Sequence, residues 1–432
     1  MNKRLGILLL TTLTQSVWAA NGSLLIGVGP GSTSQGGTGV SGTEGTIDAI
    51  HKNPALLVTQ KHGDGKINAE VSTTVFKQAP RANTGAGAVD TNSGIVGMPG
   101  IAASYHLNSQ WALGLGAYTY GGGIADFSNQ PVAQFSGIET KHTLVRIQPT
   151  VAYHPTEGVS LGFSPFINYS MLHTNEALTR SAAGTPVQST RGDSTNMAPG
   201  FMAGMQVQIT KGLDFGLTYT SRATNYFENA INLSLLTAAY QGTAATNPTA
   251  PLVASTSAAA RNTIKVAQPA EVAAGLGYWI NDNWRVAFDW RFIGWAGSVG
   301  YNDLGWKDQH VFALGTQYKV DKLKLRLGYN YSKSPIDSMT GRTGASSSDF
   351  QGVGIMSQSL DLLNLVAFPA LAEHHITLGA GYAITEAFDA DLGLMYSPGN
   401  TITRSGTGLA GAYSFSTSVT QWSAALSLAY RF

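Results

Sequence analysis

Cysteine is absent from all 432 residues. That excludes a disulfide-stapled secreted domain and any thiolate metal site. Charge is scarce: Asp, Glu, Lys and Arg make up 12% of the chain, about half the roughly 25% usual in soluble domains. The formal net charge is +1, so the basic excess that a nucleic-acid partner needs is missing. With 43% hydrophobic residues, the composition is not that of a disordered chain. Past the N-terminus no apolar run approaches the ~20 residues of a membrane-spanning helix. Catalytic signatures are lacking too. No Gly-x-Ser-x-Gly elbow, phosphate loop or His-Glu-x-x-His occurs. Only His374 and His375 are adjacent among the nine histidines, and neighbouring strand residues point to opposite faces. A rim serine near His142 or His310 is the one arrangement left for a hydrolase. No enzyme activity, catalytic residue, metal or cofactor is expected.

What is present begins with an export signal. Lys3 and Arg4 precede a mostly apolar stretch from Leu5 to Leu13, and Val17-Trp18-Ala19 offers cleavage after Ala19. Residues 1–19 are therefore a signal peptide. Residues 20–63 are rich in Gly, Ser and Thr and show little alternation. They read as a disordered leader or a small plug, and Leu24-Leu25-Ile26 and Leu56-Leu57-Val58 are apolar enough to bury, which favours the plug. Thr46 to Ile50 predicts a short helix, and Asn53-Pro54-Ala55 a turn into another.

Residues 64–432 change to a period of two. Trp422, Ala424, Leu426, Leu428, Tyr430 and Phe432 alternate with Ser423, Ala425, Ser427, Ala429 and Arg431. The stretches starting at Trp284 and Leu323 do the same. The apolar side runs for about 9–11 residues, the length of a tilted membrane-spanning strand. Its ends are aromatic, as at membrane interfaces, and the opposite side is polar or tiny, as in a lumen. About fourteen such segments occur, near 66–76, 97–107, 111–121, 142–154, 159–171, 197–210, 213–224, 269–280, 284–295, 310–320, 323–332, 374–384, 388–396 and 420–432. Short links alternate with long ones, the plan of an outer-membrane β-barrel. The expected fold class is all-β, a transmembrane antiparallel barrel of about fourteen strands with an N-terminal hatch.

With those elements in place the chain resembles the FadL/TodX family of outer-membrane transport proteins. The resemblance is carried by Gly36-Gly37-Thr38-Gly39-Val40 with Asn53-Pro54-Ala55-Leu56, by Gln110 to Phe127, by Pro269 to Trp284, by Lys307 to Ser332 and by Phe368 to His375. It implies a hatch motif at Asn53, Pro54 and Ala55. It also implies passive uptake of long-chain fatty acids or hydrocarbons, captured at the outer loops and released sideways through the third strand. Gly121, Gly122 and Gly123 are placed to weaken that strand, although a flexible loop entrance is the plainer use of them. The expected setting is a Gram-negative outer membrane, among its lipids and lipopolysaccharide, as a monomer. The alternative is a general or solute-specific porin with a polar channel.

Further candidates come from patterning. Tyr226, Phe227, Ile231, Leu235 and Leu236 recur at helical spacing, as a capture-groove wall or as a helix packed on the barrel mouth. Strand parity turns Tyr118, Leu144, Phe166, Met202, Trp279 and Met395 inward, toward Leu24 and Leu25, as a lumen pocket. Arg146, Arg285, Arg291 and Arg326 also point inward. They either tie the hatch by ion pairs or meet a carboxylate.

Overall fold

The computed structural model describes residues 21–60, 66–85, 87–132, 135–176, 192–228, 263–336, 347–351, 353–408 and 411–432, with short pieces at 179–180, 186–187 and 230. The expected signal segment lies outside them.

Fourteen strands form the wall: β1 (Ile67–Asn83), β2 (Val96–His106), β3 (Trp111–Asp126), β4 (Ile138–Thr156), β5 (Val159–Glu176), β6 (Gly192–Thr210), β7 (Leu213–Thr220), β8 (Glu271–Asn281), β9 (Trp284–Ile293), β10 (Gln309–Val320), β11 (Leu323–Ser332), β12 (His374–Ala383), β13 (Phe388–Gly408) and β14 (Gly411–Arg431). Each pairs antiparallel with its neighbours in the chain. The sheet closes where β1 bonds β14, from Asn68 opposite Arg431 to Asn83 opposite Ser416. Closure satisfies the backbone without leaving an edge to lipid. Side chains of the apolar face stand outward, with Leu314 57%, Leu327 55% and Phe432 63% exposed. At the short-turn end, Asn108 and Asn281 accept from backbone N–H groups two and three residues on, the Asx turn that suits a tight reversal.

Two expectations need correction. The link at 397–419 is not a loop: β13 and β14 continue through it as a paired ribbon. There the pattern inverts, with Ile402, Tyr413, Phe415 and Val419 buried inward, because the strands have left the lipid and need no apolar outer face. Tyr226 and Phe227 are not helical either. They lie on a strand, Ala223–Glu228, paired with Thr263–Gln268 above the barrel. Ile231, Leu235 and Leu236 fall outside the described residues.

The hatch fills the lumen. It carries helix α1 (Pro30–Thr33), helix α2 (Thr46–Lys52) and a 3-10 turn at Pro54–Leu57. Wall glycines give it clearance. An added Cβ at Gly162, Gly204, Gly216 or Gly328 would come within 2.0–2.2 Å of Ala55, Asn53, Val40 or Gly36 respectively. The mouth is roofed by the segment containing helix α3 (Ser357–Leu362) and the wider turn Leu363–Ala367, with Leu360, Leu362, Leu365 and Val366 buried.

Gly216→Val places its new methyl groups against the Val40 carbonyl, which cannot move without breaking the hatch contacts around it. The expected outcome is a folded barrel with a loosened hatch, read as faster proteolysis near residue 40 and a larger ion current in planar bilayers. An unchanged current and unchanged cleavage would show that the clearance is immaterial.

Candidate functional site

Barrel side chains hold the hatch through its backbone. The Asp289 carboxyl accepts from Gly39 and Val40 N–H at 2.8 and 3.0 Å. Glu70 accepts from Ile47 N–H at 3.0 Å, at the start of α2, where the helix's free N–H groups favour a carboxylate. Gln148 donates to the Ile50 carbonyl, Asn330 donates to that of Gly36, and Thr377 bridges Ser34 and Gly36. Within the hatch, Asp48 accepts from Gly29 and Ser32. Asn53 does three jobs: it donates to Val40 and Met205 carbonyls and caps the 3-10 turn by accepting from Ala55 N–H. Pro54 starts that turn, where its missing N–H costs nothing.

The start of the hatch leans on β3. Leu25 N–H donates to Tyr120 O, and Gly122 N–H donates to Ser23 O, at 3.0 and 2.9 Å. Leu24 bridges Gly121. These bonds replace pairs that β3 would make with β2. The β2–β3 ladder ends at Gly100 opposite Tyr118, and the next backbone bond between the two sides is Asn92 N–H to Asp126 O. Gly122 has φ +139°, with the His142 carbonyl 2.1 Å from where a Cβ would stand. Only glycine fits there. Gly121 to Gly123 do not end the strand, as the sequence suggested. They lie within it, beside a stretch of wall with no interstrand backbone bonds to β2. An apolar cluster of Leu25, Ile26, Phe76, Val96, Met98, Ile124 and Met395 backs that stretch from inside.

The expected lumen pocket is divided among three clusters. Leu24, Tyr118 and Leu144 belong to the main core, and Leu25 and Met395 to the cluster behind the unpaired stretch. Phe166 and Met202 form a third with Ala198 and Ala223. Trp279 joins none: it is half-buried near the Asn281 turn, where its backbone N–H donates to the Gly212 carbonyl. Alternation assigns a side chain to a face, not to a height.

None of the four arginines is without a partner. Arg146 donates to Asn168 and lies over the rings of Phe166 and Tyr120, at 3.9 and 4.3 Å. Arg285 donates to Ser41. Arg291 pairs with Glu271 at 3.4 Å. Arg326 bonds Gln317, Glu44 and Asp391. Arg146 and Arg291 line a narrow cavity beside the hatch with Ile26, His51, Lys52, Glu271 and Asp289. About 40 Å³ of it admits the centre of a water molecule, room for roughly three waters. Burial and the neighbouring Lys52, Arg146 and Arg291 hold the His51 ring well below the usual histidine range. Burial, reinforced by Arg291 and opposed by Asp289, lowers Lys52 to about 8. Its ammonium donates to the Ile26 carbonyl.

A second, apolar cavity lies under the mouth, between His142, Leu172, Ile264, Val266, Tyr301, Leu304, Leu363 and Phe368. Phe227 packs edge-on to His142, whereas Tyr226 is exposed. Trp295, Tyr301 and Trp306 pack edge-on or tilted against one another beside the cavity, and the Tyr301 hydroxyl meets Ser23 Oγ at 2.9 Å. Burial pushes that hydroxyl up to about 12. The sequence reading did not mark this loop; its density of Trp and Tyr was the available signal.

The family model described as outer membrane protein transport protein (OMPP1/FadL/TodX) matches residues 25–345. Among solved structures the chain is similar to a Pseudomonas aeruginosa FadL homologue, at 15% identity over 95% of this chain and 99% of that one, with a TM-score of 0.68. It is also similar to the P. putida toluene transporter TodX, at 16% identity over 94% and 99%, TM-score 0.65. The Ralstonia pickettii toluene transporter TbuX gives 16% over 94% and 98%, TM-score 0.60. At such identities the likeness is one of fold. No curated protein matches the chain in sequence.

Folded Lys52 titrates near 8 and a free lysine near 10.5. Burying its charge therefore weakens hatch docking at every pH below 8, and that cost fades as pH rises from 8 toward 10.5. Hatch amides around residues 39–53 should gain protection from hydrogen exchange across that window, and Lys52→Met should remove the gain. Equal pH dependence in both proteins would refute the assignment.

Proposed function

The chain belongs to the FadL/TodX family of outer-membrane transport proteins, and on that premise we propose that it carries hydrophobic small molecules inward by passive, lateral release. Members of the family are transport channels rather than enzymes. The cargo proposed is a long-chain fatty acid or a hydrocarbon. It is caught in the apolar cavity under the mouth, passes Tyr301 and Ser23, and leaves through the wall between β2 and β3. The protein is a monomer in a Gram-negative outer membrane, surrounded by lipid and lipopolysaccharide, after loss of residues 1–19.

One observation carries this reading: between Gly100/Tyr118 and Asn92/Asp126 the wall has side chains but no interstrand backbone bonds from β2 to β3. Opening it breaks hatch contacts and apolar packing, not a β-ladder. Where the strands are paired, a passage through the wall would orphan backbone groups in lipid at several kcal/mol each. The filled lumen argues against the porin alternative, which requires a continuous polar channel. Partnered arginines favour neutral cargo over a carboxylate within the broader class.

The chain has no cysteine of its own, so an engineered pair is unambiguous. With Met98→Cys and Ile124→Cys together, or Val96→Cys with Ile124→Cys, oxidation should stop uptake of labelled hydrophobic substrate by cells lacking other transporters. Reductant should restore it. Uptake that continues through a fully formed disulfide would sink lateral release.

A further inference from the structure

Above the apolar cluster behind the unpaired wall runs a row of inward polar side chains. Gln78 faces Gln421, and Gln421 faces Ser397. Ile376 faces Tyr396, which puts His375 beside Ser397. His375 then faces Asn330. Gln78, Ser397 and His375 are fully buried, and Asn330 nearly so.

Among the described residues Gln78 Oε1, Ser397 Oγ and Asn330 Oδ1 make no hydrogen bond, and the His375 ring meets the Asn330 backbone with one nitrogen left over. The orientation of both amides is set by their other ends. Gln78 Nε2 donates to Pro369 O, and Asn330 Nδ2 donates to Gly36 O. Their free oxygens therefore need a donor. Ser397 can donate or accept, and neutral His375 has one nitrogen of each kind. Native interiors leave few such atoms, and a concentration of them calls for an explanation.

The apolar side is immediately adjacent. Phe76 and Met395 stand two residues from Gln78 and Ser397 on the same inward face. Both pack with Leu25, Ile26, Met98 and Ile124. A neutral polar ledge thus borders the packed apolar cluster that abuts the unpaired wall.

We propose that the space this cluster fills selects slim apolar molecules bearing one neutral hydroxyl group, an aliphatic alcohol or a phenol. The hydroxyl sits over Ser397 and His375, on adjacent strands about 4.8 Å apart, within the row flanked by Gln78 and Asn330. The apolar body takes the place of Leu25 and Ile26 as the hatch start withdraws, a step that rests on the lateral-release reading above. A hydroxyl donates and accepts, so it serves both kinds of atom in the row. A carboxylate only accepts: it cannot satisfy Gln78 or Asn330, and it brings a charge that none of these four residues offsets. An alkane leaves the row unsatisfied.

The test is uptake of labelled 1-dodecanol, dodecane and dodecanoate by cells lacking other transporters and expressing the full chain, with the empty-vector rate subtracted. Barrel folding is checked by the heat-dependent gel shift. Wild type should favour dodecanol over dodecane. Ser397→Ala, a small change that removes no existing hydrogen bond, should lower dodecanol uptake about two- to tenfold, the value of one neutral hydrogen bond, and leave dodecane unchanged. His375→Phe, on the strand beside Ser397, provides a second variant with the same expectation. The proposal is overturned if wild type treats dodecanol and dodecane alike, if dodecanoate is preferred, or if the variants slow both neutral substrates equally. Transport of dodecane without a dodecanol preference overturns the hydroxyl site and leaves the transport reading standing. A folded wild-type protein that moves none of the three overturns both.

Discussion

The hatch between residues 21 and 60 contains only short helical turns, so many of its backbone N–H and C=O groups have no backbone partner within it. They are buried in a lumen nearly free of bulk water, where an unmet backbone group costs about 1–3 kcal/mol. Barrel side chains meet that demand one group at a time. Asp289 takes two N–H groups, Glu70 takes one, and Gln148, Asn330 and Thr377 reach carbonyls or bridge them. The hatch is therefore held by polar bonds to the wall as much as by apolar packing. Its start is held differently: the backbone of residues 23–25 bonds to β3, and Asn21 and Ser23 add side-chain bonds to Ser332 and Tyr301.

This arrangement explains two features of composition. Charged residues are few, yet many are inward, where they pair with one another or bind hatch backbone. Lys324 and Arg326 meet Glu44, Arg326 also meets Asp391, and Arg291 meets Glu271. Glycine is abundant because the hatch lies directly against the wall. At Gly204 and Gly216 even a methyl group would strike Asn53 or Val40. Close approach of two backbones requires a missing side chain on one of them.

The break between β2 and β3 follows from the same economy of bonds. A β-strand in lipid cannot leave its ladder unless something else satisfies it. Here the hatch supplies Ser23 and Leu25 as substitute partners for Gly122 and Tyr120. The inner surface is apolar where the wall is unpaired and polar one row higher. Both surfaces are built from residues distant in the chain, Phe76 and Gln78 from β1 with Met395 and Ser397 from β13.

Strand number, the short turns and the outward faces were legible in the sequence because lipid imposes a period of two on every spanning segment, whatever its neighbours. The pairs Leu426 and Leu428, or Leu325 and Leu327, declare their side without any knowledge of the fold. The helical turns at Thr46 and Asn53 were legible for a local reason too, their start signals. Beyond the lipid that imposed period ends, which is why the ribbon at 397–419 passed for a loop and the strand carrying Tyr226 for a helix. Tertiary structure alone decided which inward residues meet. Parity grouped Trp279 with Met202 and Met395, but strand stagger sets them at different heights: Met202 and Met395 fall in different clusters and Trp279 in none. It also decided that Gly121 and Gly122 pair with the hatch rather than with β2, since a hydrogen bond to the hatch joins residues about a hundred positions apart and leaves no mark on local sequence.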